Sequence, residues 1–278
     1  MFVAMNFIQA KLNPLSSDER ALLSDAEFSA MRDSDLSVLI APYLAIGAVI
    51  AIMFAVIWFT KMPKNGDQNH DIHFLPTLKR IFAIDYYREG VIAQFFYVGV
   101  QIMCWTFIIQ YGTRVLMNEG MAEQEAEVTS QTFNIIAMAI FVSSRFICTY
   151  FLKFINAGAL LGILAVVGAC LTLGVIFIDG RMGLYCLVAI SACMSLMFPT
   201  IYGIALQGLG DDAKFGAAGL IMAILGGSVL PPLQASIIDQ KEMFGMPAVN
   251  VSFILPLLCF LIIIAYGYRT YQRTKSSF

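Results

Sequence analysis

The sequence predicts an all-α membrane protein with seven transmembrane helices. Of the 278 residues, 59% are hydrophobic and only 13% are charged, whereas soluble domains carry about 25% charged residues. Seven apolar stretches reach the roughly 20 residues that a helix needs to cross about 30 Å of hydrocarbon. Helices are predicted rather than barrel strands, because a helix satisfies its own backbone hydrogen bonds and the sequence lacks period-two alternation. The stretches are 38–60, 90–116, 129–152, 157–178, 182–206, 214–238 and 248–271.

The seven stretches are unevenly distributed along the chain. One stands alone, and a long linker containing Pro63, Gly66 and Pro76 separates it from six that are joined by short turns. This spacing predicts a compact six-helix bundle with one helix in front of it. The predicted division is an external segment (1–37), a single transmembrane helix (38–60), a cytoplasmic linker (61–89), a six-helix transmembrane bundle (90–271) and a cytoplasmic tail (272–278).

The basic residues predict the orientation of the chain in the bilayer. Eleven of the 17 Lys and Arg residues fall on the side of the linker and the tail, while the opposite side carries six of them and 13 of the 19 acidic residues. The positive-inside rule then places the N-terminus outside and the C-terminus in the cytoplasm. A multi-pass protein of the inner (plasma) membrane is expected. The net charge of −2 gives no indication of a nucleic-acid partner.

Four polar and aromatic side chains share one face of the predicted helix 90–116. At 100° per residue, Gln94, Tyr97, Gln101 and Trp105 fall within about 80° of one another. Amides bind hydroxyl groups, and Tyr and Trp rings cover the apolar face of a pyranose, so a sugar-binding cavity is one interpretation. Interhelical hydrogen bonding is the other, because Gln and Tyr also join membrane helices to each other.

Arg145 is the one charged residue within the apolar stretch 136–151. It lies eight residues, or about 12 Å, from Lys153 at the cytoplasmic end. A charge at that depth indicates either a functional site that faces a cavity and a partner, or a packing contact near the membrane rim. The seven stretches contain no Asp or Glu that could pair with it. Asn134 is predicted to share its helix face, within about 20°.

Glycines and prolines mark places where helices pack closely or bend. Gly158 and Gly162 form a small-xxx-small pair that predicts close helix packing. Gly226, Gly227 and Pro231 predict a bendable segment suited to gating. Phosphate-binding loops, paired metal ligands and Ser–His–Asp sets do not occur in the stretches, so an enzyme is not expected.

Four segments of the sequence carry distinctive motifs: "AQFFYVGVQIMCWTFIIQY" (93–111), "SSRFICTYFLKF" (143–154), "MSLMFPTIYGIALQGLGDDAKFGAAGLIM" (194–222) and "ILGGSVLPPL" (224–233). Together they resemble the L-fucose:proton symporter family of the major facilitator superfamily, and the resemblance runs over nearly the whole chain. Its most specific parts are the Tyr, Gln and Trp positions of the first segment and the "FPTI" and "KFG" motifs of the third.

The resemblance implies a twelve-helix transporter made of two six-helix halves. On that plan 38–60 corresponds to the sixth helix, 61–89 to the central linker and the bundle to the C-terminal major-facilitator half. About the first five helices would then be missing, together with the carboxylates that couple transport to protons. The implied partners are a sugar substrate, the lipid bilayer and a missing N-terminal half-bundle, and no cofactor is implied.

The resemblance also sharpens the candidate site residues. Arg145 matches an arginine of the family's eighth helix and is the candidate coupling or interface residue. Phe198 stands where the fucose-type pattern has a tyrosine, as in glucose/galactose relatives, so the sugar remains open. The candidate substrate-binding residues are Gln94, Tyr97, Gln101, Trp105, Asn134 and Phe198.

The expected function is proton-coupled symport of L-fucose or a related hexose, present here as the C-terminal part of the transporter and not competent alone. Such transporters hold the substrate between two repeats that rock around it. Two alternatives stay open, a seven-helix receptor-like membrane protein and a non-functional truncated fragment. The last stretch has no lysine for a retinal Schiff base, which disfavours a photoreceptor. The sequence leaves open whether H⁺ or Na⁺ is the coupling ion.

Overall fold

The computed structural model describes residues 23–60, 74–240, 242–243 and 245–276. The chain divides into two compact units, residues 1–72 and residues 73–278. Within the described residues, seven helical stretches are long and apolar enough to cross a membrane. The prediction of an all-α membrane protein with seven transmembrane helices is therefore confirmed.

The described residues of the first unit form one long helix, α1 (Asp25–Phe59). It begins well before the predicted start at 38, because Ser24 and Glu27 cap its first turn. The Glu27 carboxylate accepts a hydrogen bond from the Ser24 amide at 3.2 Å and one from its hydroxyl at 2.7 Å. The large apolar side chains over 40–59 are exposed around the helix, as expected for a span surrounded by lipid.

The second unit contains ten α-helices among its described residues, together with an antiparallel hairpin whose two strands have two residues each and two short 3₁₀ turns. The hairpin pairs β1 (Glu242–Met243) with β2 (Met246–Pro247). The helices are α2 (Phe74–Phe82), α3 (Asp85–Asn118), α4 (Glu123–Phe151), α5 (Ala157–Phe177), α6 (Arg181–Met194), α7 (Met197–Leu206), α8 (Ala213–Met222), α9 (Gly226–Ile238), α10 (Ala248–Ser252) and α11 (Ile254–Ser276).

Three of the predicted spans are each built from two helices. The span 182–206 is divided into α6 and α7, with Pro199 near the start of α7. The span 214–238 is divided by the 3₁₀ turn Ala223–Leu225, and the span 248–271 by Phe253. Sequence periodicity does not reveal such breaks, because the apolar character continues across them, although a proline that cannot donate a helical hydrogen bond marks the first.

Helix α3 is the central element of the bundle, because α4, α6, α7, α9 and α11 all pack against it. Many of the largest fully buried side chains lie on it, among them Tyr87, Tyr97, Met103 and Tyr111. The predicted polar strip, which consists of Gln94, Tyr97, Gln101 and Trp105, therefore lies on the helix that packs against most of the others.

Close helix packing through small residues is confirmed between α5 and α11. A Cβ atom on Gly158 would lie 2.9 Å from the amide nitrogen of Tyr271, and one on Gly267 would lie 2.9 Å from that of Gly162. The small-xxx-small pair predicted from sequence thus lets the two backbones touch.

The predicted linker 61–89 contains a helix, α2, that begins at Phe74. Pro76 lies in the first turn of this helix, where a proline is tolerated, while Pro63 and Gly66 fall outside the described residues. Arg80 on α2 donates to Asp212 at 2.8 Å, and this hydrogen bond raises the pKa of the Arg80 guanidinium. The division into external segment, cytoplasmic linker and tail stays a prediction.

Candidate functional site

The four predicted strip residues lie along α3 but differ in exposure. Gln94 and Tyr97 are fully buried, at 0% exposure, while Gln101 and Trp105 are half-buried. The strip therefore runs from the interior of the bundle toward a more accessible region. It does not line one open cavity along its whole length.

Gln94 carries the unsatisfied polar atoms of the strip. Among the described residues, neither its side-chain nitrogen nor its side-chain oxygen has a hydrogen-bond partner. A buried unpaired amide costs about 1–3 kcal/mol relative to a paired one. An amide with unused donors and acceptors is suited to bind a ligand that carries hydroxyl groups.

Tyr97 has its hydroxyl already engaged within the bundle. The hydroxyl donates to the carbonyl oxygen of Met194, the last residue of α6, at 2.9 Å. Its ring meets that of Phe198 edge-on with 6.1 Å between centroids, and Phe198 stacks on Tyr202 at 6.3 Å. Tyr97 and Phe198 thus form part of one aromatic wall across α3 and α7.

Trp105 links α3 to two neighbouring helices. Its indole nitrogen donates to the Ser191 hydroxyl at 3.3 Å, and its carbonyl oxygen accepts from the Asn134 amide at 2.8 Å. The indole ring meets Phe141 edge-on at 5.0 Å between centroids. Trp105 remains half-buried, so part of its surface is free to contact a ligand.

Asn134 and Arg145 serve different neighbours although both lie on α4. Asn134 is 2% exposed, and its amide nitrogen reaches α3. Its side-chain oxygen has no hydrogen-bond partner in the described part of the chain. Arg145 is exposed, and its Nε donates to the carbonyl oxygen of Ser195 at 3.1 Å.

Arg145 also contacts an aromatic ring. Its guanidinium carbon lies 5.3 Å from the centroid of the Phe141 ring, within the range of a cation–π interaction. Of the ion pairs between described residues, none involves Arg145. Among the described residues, the guanidinium of Arg145 therefore contacts a carbonyl and an aromatic ring but no carboxylate.

Sequence reasoning missed Phe141 and Ser144. Phe141 precedes Arg145 by four residues and so shares its face of α4, a spacing that could have identified the pair. Ser144 donates to the carbonyl oxygen of Ala192 at 2.9 Å and accepts from the Ser195 hydroxyl at 3.2 Å. The neighbours of Ser144 come from another helix, so no local pattern indicates them.

The three predicted gating residues lie where α9 packs on α3. A Cβ atom on Gly226 would overlap the carbonyl oxygen of Phe95, and one on Gly227 would lie 2.9 Å from Cγ1 of Ile102. Pro231 is buried in the second turn of α9. The glycines thus have a packing role, and their part in gating stays a prediction.

A separate cavity of about 280 Å³ lies away from the strip, next to the start of α7. It contains none of the candidate substrate-binding residues. Its lining is mainly apolar and includes Leu152, Leu196, Pro199 and Thr200. Within the described residues no three His, Cys, Asp or Glu side chains come together as a metal site.

Comparison with known proteins shows what the chain is similar to. No family model matches it. It is 50% identical to the L-fucose-proton symporter of Haemophilus influenzae over 99% of this chain and 64% of the relative. It is 29% identical to the L-fucose-proton symporter of Escherichia coli over 91% of this chain and 56% of the relative. A glucose/galactose transporter of Brucella abortus is 28% identical over 88% of this chain and 57% of the relative.

The fold is similar to that of a solved transporter. A crystal structure of the Escherichia coli fucose:proton symporter FucP matches with a TM-score of 0.72 at 26% identity, over 97% of this chain and 64% of that chain. A second FucP structure, described as a major facilitator superfamily transporter in the outward conformation, matches with a TM-score of 0.71. The chain is therefore a multi-pass membrane protein whose sequence is similar to the L-fucose-proton symporters and whose fold is similar to that of a major facilitator superfamily transporter, and it spans 64% of the length of the Haemophilus influenzae relative.

Proposed function

We propose that this chain takes part in proton-coupled transport of L-fucose or a related hexose across the inner membrane. Its six-helix bundle would supply one wall of the substrate site and a second bundle the other. The relatives named above are transporters rather than enzymes or receptors, which supports transport over the receptor-like alternative.

The observation that carries the proposal is the unpaired amide of Gln94. Its polar atoms are fully buried yet have no partner among the described residues, and a sugar hydroxyl would satisfy both donor and acceptor. Gln101 and Trp105 lie on the same strip and are half-buried. A sugar that reaches Gln94 needs the bundle to open, and alternating access provides such an opening.

The proposed site combines amides with aromatic rings. Trp105 would cover an apolar face of the sugar, while Gln101 and the free side-chain oxygen of Asn134 would bind hydroxyl groups. Phe198 extends the aromatic wall beside Tyr97. The Tyr97 hydroxyl donates to Met194, so Tyr97 would contact the substrate through its ring.

The proton-binding group is proposed to lie on the second bundle. The seven apolar stretches contain no carboxylate, and the nearest polar partner of Arg145 is a backbone carbonyl. The four Nη hydrogens of Arg145 remain available for a carboxylate on the other bundle. The coupling ion proposed is H⁺, by analogy with the relatives named as proton symporters, and no cofactor is required.

The second bundle is proposed from the length and the exposed surface of the chain. The chain spans 64% of the Haemophilus influenzae relative, and α4 exposes large apolar side chains such as Val142, Phe146 and Ile147 around Arg145. A corresponding N-terminal half-bundle, on the same polypeptide or a separate one, would complete the transporter. The N-terminus of the present chain is proposed to lie outside and its C-terminus in the cytoplasm, from the distribution of basic residues.

L-Fucose is the first candidate substrate and glucose or galactose the second. The 50% identity to an L-fucose-proton symporter favours the former. Phe198, at a position where the fucose-type pattern has a tyrosine, favours the latter, as does the similarity to a glucose/galactose transporter. Competition of labelled L-fucose uptake by unlabelled D-galactose and D-glucose distinguishes them.

Uptake by a reassembled transporter tests the proposal. The chain is co-expressed with the N-terminal part of the Haemophilus influenzae symporter in cells that lack fucose uptake, and accumulation of labelled L-fucose and D-galactose is measured. Uptake is expected from the pair but not from the chain alone, and a protonophore should abolish it. The relative's own two parts, split at the same place, control for the effect of splitting.

Two variants on α3 make the test specific to the strip. Gln101→Ala should reduce uptake at least tenfold because it removes a proposed sugar contact. Gln110→Ala changes an exposed glutamine on the same helix and should leave uptake unchanged. If the split relative transports but the chain does not, although both are in the membrane, the non-functional alternative is correct. Accumulation by the chain alone would contradict the need for a second bundle.

A further inference from the structure

The carbonyl oxygen of Ser195 lies four residues before a proline. In a continuous helix this oxygen would accept a hydrogen bond from the amide of residue 199, but Pro199 has no amide hydrogen. Ser195 and Leu196 also separate α6 from α7. We call these two residues the helix break. A carbonyl left unpaired there would be strongly unfavourable in a membrane-embedded bundle.

Side chains from two neighbouring helices donate to carbonyls at the helix break and in the last turn of α6. Arg145 Nε donates to Ser195 at 3.1 Å, and Ser144 Oγ donates to Ala192 at 2.9 Å. From α3, the Tyr97 hydroxyl donates to Met194 at 2.9 Å. Helix α6 therefore ends with side chains of α3 and α4 bonded to its last carbonyls, in addition to the Ser195 amide and hydroxyl, which donate to Ala192 at 3.4 Å and 2.8 Å.

The positive charge of Arg145 is also favourable at this position, in addition to its hydrogen bond. A cation at the C-terminus of a helix is stabilised by the partial negative charge of the unpaired carbonyls. The face of the Phe141 ring, 5.3 Å from the guanidinium carbon, adds a second favourable contact. The C-terminus of α6 therefore stabilises the charge of Arg145, and the apolar stretches contain no carboxylate that could do so instead.

We propose that Arg145 is a positioning residue that replaces the amide hydrogen missing at Pro199. By holding Ser195 it fixes the helix break, and the break sets the ring of Phe198, three residues later, against Tyr97. This role concerns the bundle itself and does not depend on the proposed transport activity. Because Nε makes the bond to Ser195, both Nη groups remain available to meet a second bundle.

A double-mutant cycle on the purified chain in lipid nanodiscs tests the pairing of Arg145 with Pro199. Arg145→Met removes the donor and should lower the Tm by about 5 °C. Pro199→Ala restores an amide that Ser195 can use, so in that background the same Arg145→Met change should lower the Tm by less than half as much. Pro232→Ala changes an exposed proline in α9 and should leave the effect of Arg145→Met undiminished.

A fluorine label reports on Phe198 directly. With 4-fluorophenylalanine at position 198, Arg145→Met should shift the ¹⁹F resonance, and adding Pro199→Ala should return it toward its original position. The same label at Phe253, which packs on Tyr111, should not respond to either change. A loss of stability unrelated to the helix break would not produce this pattern.

The outcomes distinguish a specific role of Arg145 at the helix break from a general effect on stability. If Arg145→Met alone does not fold, recovery of folded protein in the double variant supports the proposal. An equal Tm decrease in both backgrounds, or a double variant that also fails to fold, overturns it. An unmoved ¹⁹F signal at position 198 in Arg145→Met also overturns it.

Discussion

The side-chain amide of Asn134 donates to the backbone carbonyl of Trp105 at 2.8 Å, so two candidate substrate-binding residues are held together before any ligand binds. The bond joins α4 to α3 inside the bundle, and Asn134 is 2% exposed. It fixes the position of α4 along the axis of α3, next to the polar strip. A hydrogen bond between helices is thus used to build the proposed site as well as to hold the helices together.

Replacing Asn134 should weaken the bundle modestly. Asn134→Ala removes the bond to Trp105, and an interhelical hydrogen bond of this kind in a membrane protein contributes about 0.6–1 kcal/mol. Thermal unfolding in detergent should show a small decrease in Tm. Asn118→Ala, at the exposed end of α3, is the matched control and should have no effect. A decrease as large for the control would show that the bond itself is not responsible.

Replacing Gln94 should separate stability from ligand binding. Gln94→Met removes an amide that is buried without hydrogen-bond partners among the described residues and fills a similar volume, so the free energy of unfolding should stay the same or rise by about 1 kcal/mol. Sugar affinity of the assembled transporter should fall at least tenfold, because the amide is the proposed hydroxyl ligand. Thermal unfolding and equilibrium binding of labelled sugar measure the two effects.

Gln234 provides the control for this comparison. It is also fully buried, but its side-chain nitrogen donates to the Ser252 hydroxyl at 3.0 Å, so that only its oxygen lacks a partner among the described residues. Gln234→Met should therefore lower the stability by about 1 kcal/mol and leave sugar affinity unchanged. If Gln94→Met destabilises as Gln234→Met does, the Gln94 amide has a structural partner and is not available to a sugar.

A methyl group at Gly226 should be poorly tolerated. Its Cβ would overlap the backbone oxygen of Phe95, which cannot move without shifting α3, and overpacking of this kind costs about 1–3 kcal/mol. At Gly203 a Cβ would meet nothing within 4 Å, so Gly203→Ala should be neutral or stabilise α7 by up to about 1 kcal/mol. Thermal unfolding of the two variants gives the comparison, and equal stabilities would contradict the close approach at Gly226.

The helices could be predicted from sequence because lipid imposes a simple requirement. Apolar stretches of sufficient length identify the seven candidate membrane helices among the described residues, and the pair Gly158 and Gly162 correctly indicated close packing. The first residues of the helices were predicted less accurately. Helix α1 begins at Asp25 because of the hydrogen bonds between Ser24 and Glu27, which a hydropathy criterion does not detect.

The candidate site was harder to predict, because its hydrogen bonds cross between helices. The angular positions of Gln94 and Trp105 on α3 could be calculated. Their hydrogen bonds could not: within the described part of the chain the Gln94 side chain has no partner, whereas Trp105 has two. Arg145 was recognisable by its charge. Its contact with Ser195 depends on where α6 ends, and therefore on a proline 54 residues away in the chain.

Sugar-induced proton movement tests the central claim most directly. Cells that contain the chain together with an N-terminal half-bundle are suspended in weakly buffered medium, and the external pH is recorded when L-fucose or D-galactose is added. We expect the medium to become more alkaline with at least one of these sugars and not with sucrose. A protonophore should abolish the change. Accumulation of the sugar without any change in external pH would contradict proton-coupled symport.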